Sequence, residues 1–131
     1  MKVEGWQGVL YDYLERSQSL MFAWGENDCC LWVARFVDAV TGSEHARESE
    51  GQYNTEGGAY AYLESKGFFK TSDIADAYLM KKPIQKAGRG DLVMIEGGAL
   101  GICDGRRSYF FVENKGLTAL LTLKCLRAWE V

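Results

Sequence analysis

The segment that most constrains this chain runs from Asn27 to Gly42, Asn27-Asp28-Cys29-Cys30-Leu31-Trp32-Val33-Ala34-Arg35-Phe36-Val37-Asp38-Ala39-Val40-Thr41-Gly42. Asn27 or Asp28 can cap a helix start, because a short side-chain acceptor satisfies the unpaired N–H groups of the first turn. Gly42 can end the helix in the left-handed conformation that glycine tolerates. Between these signals only Arg35 and Asp38 carry charge. A helix that is apolar nearly all round must be surrounded by other elements. The sequence therefore predicts a central buried helix, and the rest of the chain has to cover it.

The flanking patterns say how. Residues 6–16 put Trp6, Leu10, Tyr13 and Leu14 at helical spacing with charges opposite, an amphipathic helix lying on a core. Residues 43–54 are polar and loop-like. Thr55 can cap a helix to about Lys66, closed by Gly67, and Ser72-Asp73 can start a short one that ends before Pro83. After Gly90 the character changes to short β-prone runs: Leu92–Ile95, Leu100–Cys103, Ser108–Val112, Leu117–Leu123 and Leu126–Trp129. Gly97-Gly98, Asp104-Gly105 and Asn114-Lys115-Gly116 separate them, and Asp-Gly between two such runs is a hairpin signal. Helices first and an antiparallel meander second predict an α+β domain. The length, 131 residues, fits one domain with its own core, spanning 1–131.

Charge narrows the partners. Lys and Arg total 15 against 18 Asp and Glu, a formal net charge of −3, so no basic surplus exists to neutralise phosphates and no nucleic-acid partner is expected. No apolar run approaches the roughly 18 residues of a membrane span. The start, Met1-Lys2-Val3-Glu4-Gly5-Trp6, lacks the apolar segment of a secretory signal, so synthesis and folding in the cytosol are expected. There the four cysteines, Cys29, Cys30, Cys103 and Cys125, should be thiols. No C-x-x-C pair is present and His45 is the single histidine, so neither a metal site nor another cofactor is expected.

Cys29 is the residue with chemistry. At the first turn of a helix, unpaired N–H groups and the macrodipole favour an anion, so a thiol there leans toward thiolate. The plain alternative is a small buried apolar residue, as free cysteine often is. A Cys at the start of a buried helix followed by an antiparallel sheet has the papain-like layout. Met21-Phe22-Ala23-Trp24-Gly25 followed by Asp28-Cys29-Cys30-Leu31 resembles the aromatic-x-x-Gly stretch and Asp-Cys-Ser-Gly-Leu helix start of NlpC-type cell-wall peptidases. Gly90-Asp91-Leu92-Val93 and Ala99-Leu100-Gly101-Ile102 resemble that family's Gly-Asp-Leu-Val strand and the His-Val-Gly-Ile strand after it. Order and spacing agree over residues 20–115. The resemblance implies a papain-like NlpC-type α+β domain, its buried Cys-bearing helix packed on a C-terminal antiparallel sheet, with Cys29 in the nucleophile position.

The same alignment implies a degenerate site. A thiol peptidase needs a base to take the thiol proton and return it to the leaving amine. The family's His falls on Ala99, and its oxyanion-side Tyr falls on Phe22. The residue that orients the His would lie near Glu113 or Asn114. His45 lies beyond the far end of the helix that Cys29 begins, roughly 18 Å away at about 1.5 Å per residue. Asp28 adjoins Cys29, and Cys103 shares a strand face with Ala99. Cys103 is thus either a thiol neighbour of Cys29 or core packing; Cys30 should point to another side of the helix, into the core. Asp91 is expected to fix a turn through its carboxylate.

The combination of Phe-x-Trp-Gly, Asp-Cys, a Thr-Gly helix end and Ala-Leu-Gly-Ile is similar to small phage and prophage proteins related to NlpC domains that accompany tail-tip genes. That resemblance implies a catalytically inactive structural or assembly module of the tail tip or baseplate. Its partners would be tail-tip or baseplate hub proteins, with peptidoglycan a further candidate. Its location would be the host cytoplasm, then the virion. The alternative is an active cysteine peptidase or amidase acting on peptidoglycan through Cys29.

Overall fold

The computed structural model describes residues 1–131 and shows an α+β fold of four helices and a six-stranded antiparallel sheet. Helices α1 (Trp6–Ser17), α2 (Cys29–Thr41), α3 (Glu56–Ser65) and α4 (Thr71–Tyr78) come first. Strands β1 (Met80–Lys82), β2 (Leu92–Met94), β3 (Leu100–Cys103), β4 (Arg107–Val112), β5 (Gly116–Leu121) and β6 (Arg127–Glu130) follow. No helix is long and apolar enough to cross a membrane.

Helix α2 is the central element its composition predicts. Leu31, Trp32, Val33, Phe36, Val37 and Val40 are buried, and Gly42 closes the helix at φ 76°. Helix α1 is fastened to it twice: the Tyr13 hydroxyl donates to the Trp32 carbonyl at 2.6 Å, and the Trp32 indole donates to Ser17 Oγ at 2.8 Å. The two charges of α2 serve loops. Arg35 donates to Asn27 Oδ1 at 2.9 Å, and the Asp38 carboxylate accepts from Ser43 Oγ and from the backbone N–H groups of His45 and Ala46.

The sheet order is β1-β6-β2-β3-β4-β5. Strands β2 to β5 form the meander expected from the turn signals, with Asn114 at φ 67° in the β4–β5 turn. The expectation of a simple meander is corrected at its ends. After a single 3-10 turn, Thr122–Lys124, the chain does not pair with β5; it crosses the sheet to lie between β2 and β1. That placement buries Trp129 completely, which stabilises by roughly 1.5–3 kcal/mol, and lets its indole donate to Asp76 at 2.9 Å. Strand β1 has no counterpart in the sequence pattern.

Each face of the sheet carries its own core. Leu92, Leu100, Ile102, Phe111 and Trp129 face the helices and pack with Leu10, Trp32, Phe36 and Val40. Val93, Cys103, Phe110, Cys125 and Ala128 form a smaller cluster on the other face, flanked by Ile84, Ala87, Ile95 and Ala99. Gly101 permits that second layer: a Cβ there would sit 2.4 Å from the Phe110 ring. Asp91, buried, holds the turn before β2 by accepting from the Gly88 N–H at 2.9 Å, as expected, and also pairs with Lys82 Nζ at 2.7 Å and accepts from the Val131 N–H.

Candidate functional site

The site grows from the tight turn that precedes α2. Ala23 and Asn27 bridge across it, and Gly25 sits at its tip with φ 81°. Nothing but glycine fits there: a Cβ would lie 1.8 Å from the Tyr53 carbonyl oxygen. The Gly51 N–H also donates to the Gly25 carbonyl at 2.9 Å, so two distant loops are held together at this turn.

Asp28 fastens the assembly. Its carboxylate, 1% exposed, accepts from the Leu31 N–H at 2.9 Å, capping α2. It also accepts from the Gly25 N–H at 3.0 Å and the Tyr53 hydroxyl at 2.7 Å. A buried charge is stable only with such partners. The Tyr53 phenol is in turn held far above its ordinary pKa by burial and then by the carboxylate it donates to.

Cys29 and Cys30 open the helix and are half-buried. The neighbouring Cys30 thiol lowers the Cys29 pKa against the opposing effects of burial and the Asp28 charge. Cys30 is pushed well above the ordinary thiol range, first by Cys29 beside it and then by its own burial. The pair thus favours one thiolate, on Cys29. Cys30 also borders an apolar crevice of about 140 Å³ between α2 and the segment carrying α3 and α4, whose walls include Val33, Val37, Tyr62, Leu63 and Tyr78.

The remaining site residues are packing and turn residues. Phe22 stacks on Phe111 at 5.8 Å and meets Trp24 edge-on at 4.9 Å, and Phe111 stacks in turn on Trp32. Glu113 accepts from the Trp24 indole at 3.0 Å, and Asn114 adopts the left-handed turn conformation. Neither orients an imidazole. Ala99, where the resemblance puts the base, flanks the cluster on the sheet face that carries no α-helix, with Cys103. The reason is the two-residue strand period: Leu100 and Ile102 face the helices, so positions 99, 101 and 103 face away. Cys103 is therefore core packing, with Sγ 3.3 Å from the Gly105 carbonyl oxygen, and is no neighbour of Cys29. His45 is exposed beyond the far end of α2, its ring 4.7 Å from that of Tyr78.

Sequence reasoning misses Tyr53. It lies in a polar stretch with no periodicity, and its only mark is a position two residues before the Thr55 cap. Tyr60 is missed too, although its phenol is raised by burial, by Glu56 and then by the two thiols. No group of three or more His, Cys, Asp or Glu side chains is arranged to hold a metal ion. Chemically, the arrangement offers a thiolate-prone sulfur at a helix start beside a buried carboxylate and a phenol. The hydrogen bonds that carboxylate accepts come from two backbone N–H groups and the Tyr53 hydroxyl, which makes it a cap first.

No curated protein and no solved structure matches the chain. A family described as Domain of unknown function (DUF6950) matches residues 1–131, the whole length, and the chain belongs to that family.

Proposed function

We propose that this protein is a papain-like domain of the NlpC type that has lost catalysis and serves as a structural or assembly module at a phage or prophage tail tip. The observation that carries the loss of catalysis is the absence of an imidazole near Cys29. The single histidine lies beyond the opposite end of α2, and Ala99 belongs to the far face of the sheet. The papain-like reading is supported by the element order: a helix that begins at Cys29 lies against an antiparallel sheet that follows it in the chain. A fold of this kind does not carry hydrolysis once the proton-transfer group is gone. The tail-tip role rests on the similarity of Phe22-Ala23-Trp24-Gly25, Asp28-Cys29 and Ala99-Leu100-Gly101-Ile102 to phage proteins of that group.

One observation favours the alternative, a thiol hydrolase acting on peptidoglycan: Cys29 is the first residue of the capped helix α2, where unpaired N–H groups favour a thiolate. Purified peptidoglycan incubated with the wild type and with Cys29→Ser separates the two. The proposal expects no soluble fragments from either protein. Fragments released by the wild type and not by Cys29→Ser would overturn the inactive reading. Mass spectrometry of purified virions tests the location, and absence from both virions and tail intermediates would remove the tail assignment.

A further inference from the structure

The two edges of the sheet are built differently. Strand β1 is three residues long, carries Lys81 and Lys82, and is stopped by Pro83. Short length, lysine and proline are the features that keep an edge from recruiting another strand. Strand β5, at the opposite edge, is six residues long and reads Gly116-Leu117-Thr118-Ala119-Leu120-Leu121, with no charge and no proline. Leu120 is 39% exposed, Leu121 43% and the adjoining Leu123 72%. Apart from the ladder to β4, no backbone hydrogen bond reaches residues 116–121; side chains meet only the end carbonyls, Thr118 Oγ1 at Gly116 and Cys125 Sγ at Leu121, so the edge between them is open.

We propose that β5 is a self-pairing edge, through which two copies of this chain join antiparallel across a two-fold axis and merge their sheets. The neutrality of the strand selects a second copy as the occupant. Self-pairing lays two copies of the same short strand side by side, so a net charge on it would meet the same net charge on its copy; β5 carries none. A two-fold axis perpendicular to the sheet pairs positions on the same face. Centred on Ala119, it sets Leu121 opposite Leu117 of the second copy and Leu120 opposite Thr118. Both exposed leucines are then covered, and the smallest side chains but glycine meet at the axis.

An edge contact buries less than the roughly 1,200 Å² of standard stable interfaces, so the dimer forms at micromolar concentrations or above. Sedimentation equilibrium over about 1 to 500 µM reads it, a range that spans binding free energies near those of weak complexes. The mass average of the wild type is expected to climb from 14.7 kDa toward twice that value. Leu120→Lys and Ala119→Lys are expected to stay at the monomer mass with unchanged far-UV circular dichroism. Hydrogen exchange should show residues 116–121 gaining protection with concentration in the wild type alone. A wild type that remains monomeric throughout overturns the proposal. So does a dimer that persists in both lysine variants, or one whose β5 amides gain no protection.

Discussion

Removal of the Asp28 carboxylate should unfold this protein at a markedly lower temperature, whatever the protein does. The side chain caps α2 through the Leu31 N–H, and loss of such a cap costs about 1 kcal/mol. It is also the acceptor for the Gly25 N–H, in a turn that Tyr53 covers, and an orphaned buried donor costs about 1–3 kcal/mol. The Tyr53 bond contributes about 1 kcal/mol more, because the half-buried hydroxyl can turn to water when the carboxylate is gone. Asp28→Ala should therefore lose about 3–5 kcal/mol, a large part of the roughly 5–15 kcal/mol of a typical domain. For a chain of this size that corresponds to a fall in Tm of about 10–18 °C. Asp28→Asn keeps an acceptor for Leu31 and a donor for the Tyr53 oxygen, leaving only the Gly25 N–H unmatched, and should cost about 1–2 kcal/mol. Thermal unfolding followed by circular dichroism measures both. A Tm for Asp28→Ala within about 3 °C of the wild type would refute the structural account of this carboxylate. The same variants have a second readout: the Asp28 charge raises the pKa of both thiols, so folded Asp28→Asn should alkylate faster at neutral pH than the wild type.

Cys30→Ala should move the pH midpoint of Cys29 alkylation by iodoacetamide upward, because the neighbouring thiol that lowers the Cys29 pKa is removed; a midpoint unchanged from the wild type would show that the helix start alone sets it. Stability should fall as pH rises past about 10, where the unfolded chain releases protons that the folded chain retains. Burial raises Tyr13, burial and then Asp28 raise Tyr53, and the bond to Asp91 raises Lys82, so all three act in this direction, and none of them makes stability vary with pH near neutral. Tyr53→Phe should make the alkaline decline in Tm shallower, and an equally steep decline would remove Tyr53 from that account.

Much of the frame is legible from local pattern. The α2 boundaries follow from Asp28 and Gly42, and the turns at Gly97-Gly98, Asp104-Gly105 and Asn114-Lys115-Gly116 stand where the turn residues put them. These features depend on neighbours in the chain, and the chain displays them. Strand β1 is not legible, because Met80-Lys81-Lys82 has neither length nor apolar alternation; it exists because β6 lies beside it and Lys82 pairs with Asp91. The facing of β3 is not legible either. Leu100 to Cys103 are all buried, since both sides of the sheet are covered, and a strand without a polar side gives no period from which to choose a face.

The same division runs through the site. Local pattern is enough to place Cys29 at the start of a capped, buried helix and the chain's one imidazole beyond that helix's far end, because helix caps and helical rise are local geometry. Only the tertiary structure decided that Tyr53 completes the Asp28 cap, that Ala99 and Cys103 belong to the opposite face, and that β6 lies inside the sheet while β5 is left as an open edge. Each of these is a contact between residues distant in the chain, selected by which arrangement buries Trp129 and satisfies Asp28, and no short stretch of sequence contains that choice.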